Sequence, residues 1–282
     1  MKLLRHGPSG SEKPGIVHAD GSIRDLSGKI SDINADSLSP AGLSNIAGID
    51  IDSLPVVDAS TRLGACVGDI GKIVCVGLNY SDHAAETGNP EPSEPILFMK
   101  ANNAINGPFD QVMIPKDSEH TDWEVELGIV IGSRAQHVSE ADALNYVAGF
   151  CVVNDVSERH FQIERGGQWV KGKSCDTFAP IGPWMVTTDE IPDVQQLDMW
   201  LDVNGKRFQT GSTSTMIFGV KTLVSYISRF ITLDPGDVIP TGTPPGVGSG
   251  QKPPVYLKAG DVMALGIAGL GEQRQECIAY RG

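Results

Sequence analysis

Short apolar runs, separated by glycine, proline and polar turn residues, dominate the chain and predict many strands with few helices. Asn204-Gly205, between two such runs, is typical of a tight hairpin turn. Apolar positions at helical spacing predict a core-facing helix over residues 217–230 that includes Phe230, and a polar start predicts another helix over residues 139–147. The runs that predict strands cover residues 2–5, 14–17, 23–26, 71–77, 95–100, 121–132 and 147–155.

Composition favours the same fold class, mainly β with α+β elements. The 282 residues are 40% hydrophobic and 20% charged, as in ordinary globular proteins, and the 33 glycines and 18 prolines favour turns over a helical bundle. We predict a small β-rich N-terminal domain over residues 1–66 and a larger domain over residues 67–282. In the first, His6 and His18 have no partner nearby in sequence, and we expect them at the surface.

Charge, hydropathy and cysteine spacing argue against several partners and compartments. A formal net charge of −13 without a basic block argues against nucleic acid and membrane surfaces as partners. No apolar run approaches the ~20 residues of a membrane span, and the N-terminus lacks the apolar core of a signal peptide. The cysteines lack CxxC spacing, which argues against a zinc site and favours reduced thiols. We therefore expect a cytoplasmic protein.

Two glutamates lie in the predicted strand over residues 121–132. Because side chains alternate faces along a strand, Glu124 and Glu126 should point the same way, about 6–7 Å apart. Two carboxylates on one face repel each other, and a divalent cation between them is the simplest way to stabilise the pair. Oxygen ligands alone suit Mg²⁺, Mn²⁺ or Ca²⁺. The alternative is a half-exposed strand with two solvated glutamates, which this stretch alone does not exclude.

A second polar pair lies on a predicted short helix that starts near Ser81 and stops at Gly88. His83 and Glu86 are three residues apart, so their side chains are neighbours on the helix surface. A carboxylate beside an imidazole fixes its tautomer and raises its basicity, as a general base requires. The alternative is a solvated helix on which the pairing is accidental, since exposed pairs of this kind are common.

Three further features carry candidate chemistry. Asp155 ends a buried apolar strand, where functional groups are often found. Lys173 lies in a glycine-containing loop and would hold an anionic substrate group if a metal lay nearby. Residues 240–248 combine glycines with hydroxyls, as in an anion-binding nest, but lack the lysine and the spacing of a P-loop.

Taken in order, these motifs resemble the fumarylacetoacetate hydrolase family over about residues 70–280. The resemblance rests on Gly77-Leu78-Asn79-Tyr80 with His83 and Glu86, Asp122-Trp123-Glu124-Val125-Glu126-Leu127, Asn154-Asp155-Val156-Ser157-Glu158-Arg159, Gly172-Lys173 with Asp176-Thr177, and Thr241-Gly242-Thr243-Pro244-Pro245-Gly246-Val247-Gly248. The ordered set is more specific than any single motif. The resemblance implies a mixed β-sandwich roll, a homodimer, and one Mg²⁺ or Mn²⁺, with Ca²⁺ as a substitute. The implied metal ligands are Glu124, Glu126 and Asp155.

The resemblance also implies an activity. We expect a metal-dependent hydrolase that cleaves the C3–C4 bond of a 2,4-dioxo acid, of acylpyruvate or 2,4-diketo-3-deoxy sugar acid type, to pyruvate and a carboxylic acid. His83, oriented by Glu86, would activate water, and Lys173 would stabilise the pyruvate enolate. The expected substrate-binding residues are Arg159, Gln162, Gly242 and Thr243.

Other activities fit the same residues. Oxaloacetate decarboxylation needs the metal but no attacking water, and family members also isomerise, hydrate or cleave other 2-oxo acids. A non-catalytic 2-oxo acid binder would not need His83 and Glu86, and a structural calcium site would not need Lys173. Some members that act on acylpyruvates carry arginine where this chain has Leu78, which puts a contact to a distal acidic group in doubt.

Overall fold

A computed structural model of the chain describes residues 1–88 and 90–281. Its regular structure is mainly strand, as the sequence pattern predicts. The strands are, in chain order, β1 (Lys2–His6), β2 (Lys13–Val17), β3 (Ile23–Asp25), β4 (Ile73–Gly77), β5 (Ile96–Lys100), β6 (Ile105–Asn106), β7 (Val112–Met113), β8 (Thr121–Asp122), β9 (Val125–Ile131), β10 (Val147–Asn154), β11 (Ser157–Glu158), β12 (Ala179–Thr187), β13 (Asp198–Val203), β14 (Lys206–Ser212), β15 (Val238–Pro240), β16 (Val262–Ile267) and β17 (Gly271–Ile278).

The helices are short and lie between strands. The α-helices are α1 (Ala35–Leu38), α2 (Pro40–Ala47), α3 (Ser81–Thr87), α4 (Val170–Lys173) and α5 (Val220–Ser228). A π-helical turn covers His160–Glu164. Single 3₁₀ turns lie at Ile51–Ser53, Asn102–Ala104, Ala143–Tyr146, Thr188–Glu190, Val194–Gln196, Thr213–Thr215 and Gly248–Gly250.

The largest sheet contains both the N-terminal strands and the apolar strands of the rest of the chain. Its order is β3-β2-β1-β12-β10-β9-β15-β4-β5, with β6 added beside β12. Every residue of β9, β10 and β15 is buried, so these central strands are covered on both faces and are largely apolar, with Glu126 and Asn154 as the polar exceptions. The antiparallel pairing of β1 with β12 joins residues 1–25 to this sheet. The predicted boundary between a domain of residues 1–66 and a domain of residues 67–282 stays a prediction.

A second sheet, in the order β14-β13-β16-β17-β7, shares one apolar core with the first. The hairpin between β13 and β14 turns at Asn204 and Gly205, whose φ values of 52° and 76° are those of the predicted tight turn. Leu201 and Leu265 of this sheet are buried in the same cluster as Leu127 of β9. The two sheets together therefore make a sandwich-like β fold around the central strands.

The predicted strand over residues 121–132 is interrupted. β8 ends at Asp122 and β9 begins at Val125, so Glu124 lies outside the regular strand. Three successive backbone N–H groups here donate to side chains instead of a neighbouring strand: Trp123 to Asp122 Oδ1, Glu124 to Asn154 Oδ1 and Val125 to Gln209 Oε1. Strand alternation is therefore not what orients Glu124.

Three other sequence predictions were wrong in detail. The expected helix over residues 139–147 is only a 3₁₀ turn at Ala143–Tyr146, since β10 already begins at Val147 and leaves no room for a longer helix after Ser139 and Asp142, which bond to each other. α5 buries Leu223, Val224 and Ile227 as predicted, but it ends at Ser228 and leaves Phe230 66% exposed. His6 is buried, because β1 pairs with β2 on one side and contacts Leu63 on the other.

Two properties of the described residues complete the fold. Within residues 1–88 and 90–281, no helix combines the length and the apolar content that crossing a membrane requires. All five cysteines are free thiols, and Cys175 alone among them is not fully buried.

Candidate metal centre and active site

Glu124, Glu126 and Asp155 converge at the ends of β9 and β10. One carboxylate oxygen from each lies within 4.8 Å of the others, and all three residues are buried. The register of the two strands explains this, since Asn154 pairs with Val125 and the Asp155 N–H donates to the Glu124 carbonyl at 2.9 Å. The three predicted ligands are therefore brought together, and the alternative of two solvated glutamates is excluded.

Three cations compensate two of these acids. Lys173 Nζ lies 2.9 Å from Glu124 Oε2 and 2.7 Å from Asp155 Oδ2. Arg159 Nη2 lies 2.6 Å from Glu124 Oε1, and Lys100 Nζ lies 2.5 Å from Asp155 Oδ1. Because all of these side chains are buried, each contact is a charge-assisted bond in a low-dielectric environment.

Glu126 is the uncompensated member of the set. Its Oε2 accepts from the Gly242 N–H at 2.9 Å, but no lysine or arginine nitrogen of the described residues lies within 4.0 Å of its carboxylate. Burial raises the pKa of Glu126 well above its usual value, and the negative charges of Asp155 and Glu124 add to the rise. Burial acts in the same direction on Glu124, but Lys173 and Arg159 outweigh it and hold that pKa well below its ordinary value.

The donor set fits an oxygen-preferring divalent cation. Three carboxylates with converging oxygens are hard ligands, and one of them lacks a positive partner. Magnesium and manganese prefer such oxygen ligands. Zinc sites usually include a thiolate or an imidazole, and this set of three residues contains carboxylates alone. The residues present therefore fit the implied Mg²⁺ or Mn²⁺.

His83 and Glu86 form the predicted pair on α3. His83 Nδ1 lies 3.1 Å from Glu86 Oε2, and the imidazole lines the same cavity as Glu124 and Glu126. The Gly246 N–H also donates to Glu86, at 3.1 Å to Oε1 and 3.2 Å to Oε2. His83 is only 8% exposed, so the alternative of a solvated surface pair is wrong. The arrangement suits an imidazole whose tautomer is fixed by a carboxylate.

The cavity has a volume of about 190 Å³ and contains the four predicted substrate-binding residues. Arg159 donates from Nη1 to Gln162 Oε1 at 3.1 Å. Gly242 has φ 96°, and an added Cβ would lie 2.9 Å from Asn79 Cβ, so only glycine brings this N–H to Glu126. The Thr243 hydroxyl donates to the Val125 carbonyl and accepts from Gln209, so it is held in place by β9.

Sequence reasoning missed two residues at this centre. Lys100 ends β5 and is completely buried against Asp155. In the sequence, a lysine at the end of an apolar strand is only a weak sign of such burial. Asp122 accepts from Arg159 Nε at 2.8 Å and from the N–H groups of Gly248 and Ser249. Asp122 thereby fixes Arg159 and the loop after β15, and nothing in its local sequence marks that role.

Comparison with known proteins places this geometry in a family. A family profile described as the C-terminal part of fumarylacetoacetate (FAA) hydrolase matches residues 72–278. The chain belongs to the fumarylacetoacetate hydrolase family. The resemblance and the fold class predicted from the sequence are thereby confirmed. A relative from Burkholderia multivorans, described only as a hydrolase, is 62% identical over 282 residues and covers 100% of both chains. The chain is accordingly an enzyme, a hydrolase of the fumarylacetoacetate hydrolase family.

Solved structures of this family superpose on the whole chain. Fumarylacetoacetate hydrolase from Exiguobacterium antarcticum is 35% identical with a TM-score of 0.87, and covers 99% of this chain and 100% of its own. A 2-hydroxyhepta-2,4-diene-1,7-dioate isomerase from Mycobacterium marinum is 32% identical with a TM-score of 0.77 and covers 100% of both chains. Maleylpyruvate hydrolase from Sphingobium sp. SYK-6, solved with manganese and pyruvate, is 27% identical with a TM-score of 0.82 and covers 100% of both. The family thus includes both hydrolases and isomerases.

Proposed function

We propose that this protein hydrolyses the C3–C4 bond of a 2,4-dioxo acid and releases pyruvate and a carboxylic acid. The observation that carries the proposal is that two components meet at one cavity: two members of the buried carboxylate triad, Glu124 and Glu126, line it together with His83, which is paired with Glu86. The carboxylates would hold the cation that binds a 2-oxo acid, and the His83–Glu86 pair would activate the attacking water. The related maleylpyruvate hydrolase, solved with manganese and pyruvate, supports this assignment.

Glu124, Glu126 and Asp155 would hold one Mg²⁺ or Mn²⁺. When bound, the cation supplies a Lewis acid that favours negative charge on the 2-oxo oxygen and the carboxylate of the substrate. Lys173 and Arg159 contact the same carboxylates and carry positive charge into the cavity. Burial opposes the charge of Lys173, but Asp155 and Glu124 raise the pKa of Lys173 above its usual value, so the ammonium stays protonated at neutral pH.

His83 acts as the general base in this proposal. Glu86 accepts the proton of Nδ1, which directs Nε2 to take a proton from water. The hydroxide attacks the C4 carbonyl, the C3–C4 bond breaks, and its electrons leave as the pyruvate enolate. The Lys173 ammonium stabilises this developing charge, and the proton that His83 took from water is returned to C3, which gives pyruvate. Gln162 and Thr243, with the Gly242 backbone, contact the pyruvate half.

An acylpyruvate assay with metal control tests the function. Metal-stripped protein should not hydrolyse acetylpyruvate, and Mg²⁺ or Mn²⁺ should restore equal yields of pyruvate and acetate. Oxaloacetate, assayed in parallel for pyruvate release, separates hydrolysis from decarboxylation. Full activity in EDTA, or faster turnover of oxaloacetate than of every acylpyruvate tested, would overturn the proposal. Glu126→Gln is the matched control because it removes one metal ligand without breaking an ion pair.

The remaining expectations from the sequence stay with this proposal. We propose that the enzyme acts in the cytoplasm as a homodimer on a small 2-oxo acid, with no nucleic acid or membrane partner. Gel filtration with light scattering measures the mass, and a monomer of 30.0 kDa would contradict the dimer.

A further inference from the structure

The lining of the active-site cavity combines charged and apolar side chains. Glu124, Glu126 and Lys173 bring the charges of the carboxylate centre. The apolar part of the lining, called here the apolar wall, includes Leu78, Phe98, Ile163 and Trp169. A substrate whose pyruvate half binds at the carboxylates has these apolar side chains available for its other half.

The apolar wall is packed into a defined shape. Phe98 and Trp169 meet edge to face with ring centroids 5.3 Å apart. A Cβ on Gly77 would lie 2.6 Å from the Trp169 ring, so β4 packs directly against this indole. Phe98 also faces the centre, with Lys173 Nζ 4.9 Å from its ring centroid. The aromatic pair therefore lies beside Lys173, with Phe98 in contact with both Lys173 and Trp169.

Among the described residues, the lysine and the arginine that line the cavity both contact the carboxylate centre. Among the described residues of the lining, the basic side chains are His83, Arg159 and Lys173. Arg159 uses Nε on Asp122, Nη1 on Gln162 and Nη2 on Glu124, while Lys173 bridges Glu124 and Asp155. His83 pairs with Glu86. The apolar wall thus offers no lysine or arginine to a second anionic group.

Formal charge leads to the same conclusion. The connected cluster contains four carboxylates (Asp122, Glu124, Glu126 and Asp155) and three cations (Arg159, Lys173 and Lys100), which leaves a formal charge of −1. A divalent cation would change this to +1, and one substrate carboxylate would then bring it to zero. A second carboxylate would return the cluster to net negative charge and would lie against apolar side chains without a cationic partner, which is costly.

We propose that the enzyme selects 2-oxo acids whose distal half is uncharged and apolar, and that this half lies against Leu78, Phe98, Ile163 and Trp169. This inference rests on the proposed function and narrows its substrate class to monocarboxylic acylpyruvates with a short alkanoyl or aroyl group. Dicarboxylic substrates such as maleylpyruvate, which gives a structural relative its name, are excluded.

Two inert 2-oxo acids of similar length provide the binding test. 2-Oxoglutarate ends in a carboxylate, whereas 2-oxohexanoate ends in an ethyl group at the corresponding position. In calorimetric titrations of the Mn²⁺-loaded protein, 2-oxohexanoate should bind about tenfold or more tightly than 2-oxoglutarate, because only the distal carboxylate would lie against apolar side chains without a cationic partner. Equal affinity, or tighter binding of 2-oxoglutarate, would overturn the proposal.

A charge introduced at the apolar wall tests whether the distal half of the substrate lies there. Ile163 is 61% exposed, so Ile163→Arg adds a cation at the cavity mouth with little effect on packing. Ile163→Gln is the matched uncharged control. The arginine variant should shift the affinity ratio toward 2-oxoglutarate by about tenfold relative to the glutamine variant. Identical ratios in the two variants would show that the distal half does not lie beside Ile163.

Turnover separates this inference from the function on which it rests. Wild-type enzyme should have a higher kcat/KM for acetylpyruvate or butanoylpyruvate than for maleylpyruvate. Hydrolysis of maleylpyruvate in preference to both would overturn the selectivity and leave the proposed hydrolysis intact. Preferential binding of 2-oxohexanoate without hydrolysis of any acylpyruvate would overturn the proposed function and leave the selectivity of the cavity intact.

Discussion

The Lys100 ammonium lies 2.5 Å from Asp155 Oδ1, and neither side chain has any exposed surface. Lys100 Nζ also donates to the Val156 carbonyl at 3.0 Å, which fixes it behind the carboxylate. Lys173 holds Oδ2, the other oxygen of Asp155, at 2.7 Å. Lys100 therefore fixes the orientation of the Asp155 carboxylate from one side, and Lys173 contacts it from the other.

Lys100→Met should destabilise the metal-free protein by about 3–5 kcal/mol, because it breaks a fully buried ion pair and leaves Asp155 Oδ1 without its cation, although Lys173 still contacts Oδ2. Mn²⁺ should recover part of this loss, since the cation replaces the missing positive charge beside Asp155. Urea unfolding with and without Mn²⁺ measures both effects. Arg134→Met is the control: Arg134 is 68% exposed in its contact with Asp234, and such pairs contribute about 0–1 kcal/mol. Equal losses in the two variants would contradict the role of Lys100.

Substitutions of the two glutamates should have opposite effects on the metal-free protein. Glu124→Gln breaks the contacts with Lys173 and Arg159 and should lower the free energy of unfolding by about 3–5 kcal/mol. Burial and the two neighbouring acids raise the pKa of Glu126, so folding at neutral pH must protonate this carboxyl at a cost; Glu126→Gln removes that cost and should raise the free energy of unfolding. Both variants should lose Mn²⁺ binding in calorimetry. A destabilised Glu126→Gln protein, or one that binds Mn²⁺ with wild-type affinity, would count against the electrostatic account of the triad.

His83→Ala should keep Mn²⁺ and 2-oxohexanoate binding but lose about 10²–10⁴-fold in kcat, because only the step that activates water is removed. Calorimetry gives the binding, and pyruvate release from acetylpyruvate gives the rate. His120→Ala serves as the control, since His120 packs against Tyr256 and does not line the cavity. Near-normal turnover of His83→Ala would show that another group activates the water.

Stability should fall at mildly acidic pH through His6. Burial lowers the pKa of His6 below its ordinary 6.5, and the charge of Asp25 only partly opposes this. The unfolded chain therefore binds the proton first, so the stabilising contribution of neutral His6 is complete above about pH 6.5 and is lost as the pH falls toward the folded-state pKa. His6→Leu should flatten this part of the curve of unfolding free energy against pH. Parallel curves for variant and wild type would contradict the assignment.

Much of the site followed from local sequence signals. The i, i+3 spacing of His83 and Glu86 predicted their contact, because a helix enforces that distance whatever surrounds it. Glu124 and Glu126 were predicted to converge through strand alternation, yet Glu124 lies in the break between β8 and β9. Their convergence depends on side chains from Asn154 and Gln209 that cap the interrupted backbone, and no local pattern specifies those partners.

Long-range contacts explain what the sequence did not reveal. Lys100 and Asp155 are 55 residues apart, and Asp122 reaches the N–H of Gly248 across 126 residues. Such pairs depend on the order of strands in the sheet, which hydrophobic periodicity does not determine. Phe230 was misplaced for a similar reason, since the chain leaves α5 before the helical period reaches it.

The Gly246 N–H bonds to Glu86 connect α3 to the loop that also carries Gly242 and Thr243. Gly246 has φ 105°, and a Cβ there would lie 1.9 Å from the Phe208 carbonyl oxygen, so only glycine fits at this position. Substitutions meant to change the shape of the cavity should avoid this loop, because shifting it would also displace the His83 imidazole. Phe98, on β5, belongs to a separate part of the scaffold and is the safer position for a library.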